Sequence, residues 1–336
     1  MKKDLKNKVN ILTLVLITIL VLYISLKDNF GEVVKGFTKL NIFWIIIALI
    51  FTIGYYFLRS LSLYNCASKF KKNVSFKEIM RMVYITQFFD GITPSSSGGQ
   101  PYQIYAFNKQ NIKIADATNI TIQNFIVYQI ALVLLGLIAV ISNSFLNLFE
   151  QVGFIKNLII IGFIINCLVI VGLFSLAFLK KVNKIVLTLI IKLLSKLKII
   201  KNKDEIIDNL NNHIETFHKG ALTLLKDKKN FIKTIIYNLI ALILIYMIPV
   251  VLLYGLGDYN SFTQYESIIA SAYVMLIGSF VPIPGGSGGL EYAFTQFYGT
   301  FINAPHLTLI MLLWRFFTYY LGVIIGGILL NIRKKR

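Results

Sequence analysis

The sequence is 336 residues long, with 56% hydrophobic residues, 15% charged residues and a formal net charge of +19. So apolar a composition excludes an ordinary soluble domain and indicates an integral membrane protein. The positive charge lies in short segments between long apolar runs, which favours contact with anionic lipid and makes nucleic acid an unexpected partner.

Six apolar segments are long enough, or nearly so, to cross the hydrocarbon core of a bilayer, which needs roughly 20 helical residues. In chain order they are approximately 9–26, 42–58, 118–141, 155–179, 234–254 and 307–330. The first follows four lysines, as a signal peptide does, but it is longer than a typical signal and no small-residue cleavage site follows it. We interpret it as a retained first transmembrane helix.

Two further apolar stretches, approximately 79–108 and 267–299, are each interrupted near the middle by proline and glycine. Their arms, of roughly 12–15 residues, are too short to span a bilayer, so each stretch is predicted to form a re-entrant hairpin. The predicted fold class is an all-α integral membrane protein with about six transmembrane helices and two re-entrant helical hairpins arranged as inverted repeats.

The positions of lysine and arginine support this layout. Of the 34 such residues, 29 lie in the loops predicted to face the cytoplasm, namely 1–8, 59–81, 108–117, 180–233 and 333–336. If either broken stretch crossed the bilayer once, every later loop would change face and this separation would disappear. The positive-inside rule therefore predicts a multi-pass protein of the cell (cytoplasmic) membrane with both termini in the cytoplasm.

A single transmembrane domain is predicted over 1–336, with repeat halves at about 42–141 and 234–331 and a cytoplasmic linker at about 180–233. In the linker, polar residues recur about every four positions from Lys181 to Lys196, which is typical of a basic amphipathic helix on the inner leaflet. Such a helix either senses lipid or docks a partner, or it only joins the two halves at the membrane interface.

The two breaks share the pattern P-x-x-x-G-G-x-x-Y, at 94–102 and, 190 residues later, at 284–292. Three predicted spans separate the hairpins, so one opens to the cytoplasm and the other outward, as in the inverted repeats of many transporters. The N–H groups that begin the following helices are suited to an anionic head group, although packing of the turns alone is the alternative. The candidate substrate-binding residues of the turns are Pro94, Gly98, Gly99, Gln100, Tyr102, Pro284, Gly288, Gly289 and Tyr292.

Charged residues inside the membrane add candidates. Glu291 follows the second turn, and Arg315 lies eight residues into the last predicted span, roughly 12 Å from its outer end. The two are expected at similar depth, as either a functional or a purely structural pair. Asp90, which precedes the first turn, and Arg81, about one arm away from it, are accessory candidates, although Arg81 can equally reach the interface. No catalytic residue, metal or cofactor is predicted from the scattered histidines and two cysteines.

Three motifs carry a resemblance to a known family: TPSSSGGQPYQIYAF at 93–107, PIPGGSGGLE at 282–291 and LLWRFFTYYLG at 312–322. Together they resemble the transmembrane family of lysylphosphatidylglycerol synthetases, also called the flippase-like domain of the multiple peptide resistance factor. The resemblance implies a domain that moves aminoacylated phosphatidylglycerol, or another lipid, between leaflets, with a link to resistance against cationic antimicrobial peptides. The residues that match the family by position are Pro94, Gly98, Gly99, Pro284, Gly288, Gly289, Glu291 and Arg315.

Full synthetases of that family carry a soluble C-terminal domain that takes lysine from lysyl-tRNA, whereas this sequence ends at Arg336. Lysyl transfer by this chain alone is therefore not expected. Three functions remain: a lipid flippase or transporter, a phosphatidylglycerol lysyltransferase acting with a separate catalytic domain, and a non-transporting partner that recruits a separate lipid synthetase through the 180–230 loop. Anionic membrane lipids are the expected partners in all three, and self-association into a homo-oligomer is left open.

Overall fold

The computed structural model describes residues 30–149, 153–196, 215, 218–222, 226–279 and 281–332. Every regular element in these residues is a helix and no strand occurs among them, which confirms the predicted all-α fold class. The first predicted span, 9–26, and both chain ends lie outside the described residues, as does most of the stretch 197–225.

The helices are numbered in chain order through the described residues. The first group is α1 (Phe30–Lys39), α2 (Ile42–Ala67), α3 (Phe76–Ile92), α4 (Gly99–Asn108), α5 (Ile114–Leu146), α6 (Gly153–Phe178) and α7 (Lys180–Lys196). The second group is α8 (Lys228–Tyr246), α9 (Ile248–Gly255), α10 (Gln264–Gly278), α11 (Gly289–Tyr298), α12 (Ala304–Arg315) and α13 (Leu321–Asn331). Short 3-10 turns occur at Pro94–Ser96 and Pro284–Gly286, and a π-helical segment occupies Phe316–Tyr320.

Among the described residues, five helical stretches are long and apolar enough to cross a membrane. They are Ile42–Ala67, Ile114–Leu146, Asn157–Phe178, Lys228–Gly255 and Ala304–Asn331. These stretches correspond to the second through sixth predicted spans, so the structure supports an integral membrane protein.

Helix α2 continues nine residues beyond residue 58, the predicted end of its span. Because a charged residue ends an apolar run, the sequence predicts that Arg59 lies in the loop after this span. In the structure Arg59 lies inside α2, where its guanidinium donates to Asn238 and covers the ring of Tyr128. The loop assignment of Arg59 is wrong, because side chains of two neighbouring helices supply the contacts that water would supply in a loop.

The two broken stretches each fold into two short helices joined by a turn. Helices α3 and α4 have 17 and 10 residues, and α10 and α11 have 15 and 10. At 1.5 Å per residue, none of the four reaches the roughly 30 Å thickness of a hydrocarbon core. The helix–turn–helix form is the one predicted from the proline and glycine breaks. That each hairpin enters and leaves the membrane by the same face stays a prediction.

Two of the long stretches are interrupted by features that the hydropathy pattern does not reveal. The stretch Lys228–Gly255 divides at Met247. The cause is Pro249, in the first turn of α9, which has no N–H group to donate to the preceding turn. Ala304–Asn331 contains the π-helical segment directly after Arg315. A π-helical segment rotates the residues that follow it and is frequent at functional sites.

The largest hydrophobic cluster lies around α9 to α12. All eight residues of α9 are buried there. From α11, Phe294 stacks on Trp314 of α12 with ring centroids 4.7 Å apart. Stacking of this kind holds α11 against α12. Glu291 lies one turn before Phe294 and Arg315 one residue after Trp314, so the two charged side chains face each other.

Helix α7 occupies the beginning of the predicted linker, and its helical form agrees with the polar periodicity over that part. Lys180, Lys181 and Lys184 are exposed, and Ile185 and Leu189 are each 60% exposed. Exposed lysines beside exposed aliphatic side chains are typical of a helix at a membrane surface. The second half of the linker lies mostly outside the described residues.

Candidate functional site

The two turns begin with the same backbone conformation. Ser95 and Ser96 have φ of 52° and 50°, and Gly285 and Gly286, at the matching positions of the motif, have φ of 65° and 63°. This left-handed conformation favours glycine, so the serines of the first turn are held in a strained form that the glycines of the second adopt freely. Backbone strain in a non-glycine residue is often found at functional sites.

The turns also contact each other, although 190 residues separate them in the sequence. Tyr319, from the π-helical segment, lies between them. Its hydroxyl group donates to the Gly91 carbonyl group at 2.8 Å, and a Cβ atom added to Gly285 would overlap its ring. The two halves of the motif therefore form one site that includes part of the last long helical stretch.

Glu291 and Arg315 form a buried ion pair at this site. The Arg315 Nε atom lies 2.6 Å from Glu291 Oε1, and the two side chains are 5% and 9% exposed. Arg315 also donates from Nη2 to the Gly285 carbonyl group at 2.9 Å, while Glu291 Oε2 accepts the Gly288 N–H group at 2.7 Å. Arg315 thus ties α12 to the second turn, and the pairing expected from helix depth is present.

Side chains of the protein accept hydrogen bonds from some of the N–H groups that begin the two helices after the turns. The Gly99 N–H group donates to Asp90 Oδ1 at 2.8 Å, and the Gly98 N–H group donates to Thr93 Oγ1 at 2.8 Å. With the Gly288 bond to Glu291, a carboxylate of the chain sits at each helix start. In this conformation a lipid anion can reach the Gly99 and Gly288 N–H groups only by displacing these two carboxylates.

A small polar cavity adjoins the first turn. It has a volume of about 30 Å³, and its lining includes Tyr56, Arg59, Gln87, Asp90 and Asn124. The sequence prediction does not include Arg59 in the site. The absence of charged residues between 60 and 68 could have shown that this arginine lies within a longer helix.

The accessory candidate Arg81 lies elsewhere. It donates to the carbonyl groups of Leu329 and Ile332, at the end of α13. A cation at this position compensates the unpaired carbonyl groups and the negative end of the helix dipole. Arg81 therefore anchors α3 to α13 and does not pair with Asp90.

The remaining candidates from the sequence occupy the rims of the two turns. Tyr102 stacks on Phe89 with centroids 4.9 Å apart, whereas Tyr292 is 54% exposed. Pro94 is exposed, and Pro284 and Gln100 are partly buried. The structure thus brings Gly285, Ser287, Glu291 and Arg315 into one network, while Tyr292 points away from it.

Comparison with known proteins agrees with these motifs. Residues 10–326 match the family described as the lysylphosphatidylglycerol synthase transmembrane region. A UPF0104 membrane protein of Archaeoglobus fulgidus is 24% identical over 328 residues, which cover 94% of this chain and 95% of that protein. The family match includes both turns and the Glu291–Arg315 pair. The chain therefore belongs to the lysylphosphatidylglycerol synthase transmembrane region family.

Proposed function

We propose that the chain moves a phospholipid between the leaflets of the cytoplasmic membrane, with the head group passing the two turns beside Arg315. The meeting of two non-helical turns around a buried arginine carries this proposal. Irregular backbone and buried charge are both costly within hydrocarbon, and in membrane proteins they are typical of substrate paths.

The chemistry of the pair favours a lipid that bears both charges. A phosphate group offers Arg315 the same acceptor oxygens as the Glu291 carboxylate. A lysyl ester of phosphatidylglycerol adds ammonium groups that can pair with Glu291 once Arg315 has turned to the phosphate. Exchange of partners keeps both buried charges paired, and pairing is what makes buried charge tolerable. Phosphatidylglycerol and its lysyl ester are therefore the proposed substrates.

The proposed layout has two inverted halves, about 42–141 and 234–331, with both termini in the cytoplasm. The shared left-handed turn supports it, because Ser95–Ser96 and Gly285–Gly286 have the same backbone form in different sequences. In this layout the first hairpin enters from one face of the membrane and the second from the other, and both reach a common site at mid-depth.

A second candidate is a membrane partner of a separate lipid synthetase. The observation that favours it is α7, which exposes both lysines and aliphatic side chains. Deletion of 180–196 from the chain tests this candidate. Loss of synthetase binding with unchanged leaflet exchange would assign α7 to the partner, and unchanged binding would remove the candidate.

Leaflet exchange in reconstituted vesicles tests the proposed transport. Fluorescent phosphatidylglycerol is placed in both leaflets, and a membrane-impermeant reductant bleaches the label that reaches the outer one. Vesicles with the chain should lose their protected fraction, and vesicles with the double variant Glu291→Gln/Arg315→Gln should keep it. The control is Lys228→Gln, which removes a charge from the exposed start of α8. Vesicles with this variant should behave as those with the unaltered chain. A protected fraction equal to that of empty vesicles would refute transport of this lipid.

A further inference from the structure

The small cavity at the first turn, between α2, α3, α4 and α5, has a chemistry of its own. At about 30 Å³ it has room for one or two water molecules. Tyr56 lines it, is 2% exposed, and has a hydroxyl group without a hydrogen-bond partner. Because a buried hydroxyl group is rarely left unpaired, a water molecule in the cavity would supply this one with a partner.

The two carboxylates of the turns are held in different ways. Both oxygens of Glu291 are bonded, one to Arg315 at 2.6 Å and the other to the Gly288 N–H group. Asp90 accepts the Gly99 N–H group on Oδ1, and although Arg59 lines the same cavity, it forms no salt bridge with Asp90. The guanidinium of Arg59 bonds instead to Asn238 at 2.7 Å.

Opposing influences act on the charge of the Asp90 carboxylate. The titratable groups that face it are Arg59, Tyr55 and Tyr56 from α2 and Tyr128 from α5. Of these, Arg59 is the group that carries a charge near neutral pH. Burial disfavours the charged carboxylate, whereas the Arg59 charge and the Gly99 N–H group favour it.

We propose that Asp90 binds and releases a proton through this cavity, and that its protonation loosens the start of α4 and so couples lipid movement to a proton gradient. One proton passes from the cavity water to a carboxylate oxygen and leaves again on release, without any electron transfer. A neutral carboxyl group is the weaker partner for the Gly99 N–H group and for the helix dipole. The coupling rests on the proposed function, whereas proton binding at Asp90 does not.

Polar side chains extend from the cavity toward the first turns of α5, where Gln123 donates to the Gly220 carbonyl group. Asn238, the partner of Arg59, donates to Ser62, which donates to Asn124 at 2.7 Å. Gln123, the neighbour of Asn124, and Asn119, one turn earlier, have buried polar atoms without hydrogen-bond partners among the described residues. Buried polar atoms of this kind mark positions for water, and chains of polar groups and water are the usual form of a proton path.

Infrared difference spectroscopy of the purified full chain tests proton binding directly. The spectrum is followed between about pH 5 and pH 9, where ordinary exposed carboxylates stay ionised for most of the range. A protonated-carboxyl band should appear on acidification and be absent in Asp90→Asn, while Asp258→Asn, a matched change in a loop, should retain it. In Arg59→Gln the band should appear at a higher pH, because a stabilising positive charge has gone. A band that is unchanged in both Asp90→Asn and Arg59→Gln would overturn the proposal.

The coupling has its own measurement in vesicles with fluorescent phosphatidylglycerol. An imposed pH gradient should change the exchange rate of the unaltered chain and not that of Asp90→Asn. Exchange that ignores the gradient would refute the coupling and leave lipid transport standing. If the unaltered chain gives no exchange at all, lipid transport and the coupling both fail, and the infrared band alone decides proton binding at Asp90.

Discussion

Arg315 and Glu291 are the residues whose removal should be most instructive. Arg315→Gln leaves a buried carboxylate without its partner, and we expect the free energy of unfolding to fall by about 3–5 kcal/mol. Glu291→Gln should also destabilise, since it leaves the buried guanidinium uncompensated. The double variant should lose much less than the sum of the two, because no buried charge remains.

Thermal unfolding of the purified chain in detergent measures all three variants. Lys228→Gln serves as the control, since its side chain is exposed and its loss should change stability by no more than about 0.5 kcal/mol. Additive losses in the single and double variants would show that the two charges do not act as a pair.

The turns offer a second comparison at the scale of single residues. Gly285→Ala adds a Cβ atom that overlaps the Tyr319 ring in a backbone with φ of 65°, so we expect a loss above the roughly 1–2 kcal/mol of left-handed strain alone. Ser95→Ala, at the matching position of the first turn, keeps an exposed residue with the same backbone and should be nearly neutral. Equal losses in unfolding measurements would remove the role assigned to Tyr319 between the turns.

Prediction from sequence succeeded or failed here according to how local the signal was. Glu291 and Arg315 could be matched because the distance along two helices fixes their depth. The uncharged run 60–68 could have placed Arg59 within a helix, but its partners Asn238 and Tyr128 come from distant helices and leave no mark on the local pattern. For Arg81 the sequence leaves both a role in the hairpin and a position at the interface open, because its contact with the end of α13 depends on tertiary packing.

At the scale of elements, close packing of α13 against α3 depends on glycine. A Cβ atom added to Gly326 would overlap the carbonyl oxygen of Tyr84, which is backbone and cannot turn aside. We expect Gly326→Ala to lower the free energy of unfolding by about 1–3 kcal/mol through overpacking.

Gly172→Ala, on α6, is the matched control, because a Cβ atom there meets nothing within 4 Å. It should raise stability by about 0.4–1 kcal/mol, since alanine restricts the unfolded chain. A Gly326→Ala variant as stable as Gly172→Ala would mean that α13 is free to move away from α3.

The helical elements themselves were largely predictable from sequence. Length and apolar composition locate the spans, and proline with glycine locates both hairpins, since these signals act within one segment. The π-helical segment after Arg315 was not predictable, whereas Pro249 and the uncharged run 60–68 are sequence signals for the break at Met247 and for the longer α2. The π-helical segment depends on which side chains of other helices take up the charges and carbonyl groups exposed by the irregularity.

At the scale of the whole molecule, the account requires two hairpins that enter from opposite faces and meet. The contact between the turns is what such hairpins would produce at mid-depth. The assignment of faces follows from the positions of lysine and arginine, 29 of 34 of which lie in the loops predicted to be cytoplasmic. Because the two turns share one motif, the same chemical probe can be placed on each of them. It distinguishes hairpins that enter from opposite faces of the membrane from hairpins that enter from the same face.

Labelling of single cysteines from each face is the measurement that tests this claim most directly. Ser96 is exposed on the first turn and Ile283, 37% exposed, precedes the second, whereas Ser287 is too buried to label at 3%. The background carries Cys167→Ser and keeps Cys66, which is 2% exposed. Ser96→Cys should react with a membrane-impermeant reagent only from the cytoplasmic face, and Ile283→Cys only from the outer face. Reaction of both from the same face, or the reverse assignment, would contradict the account.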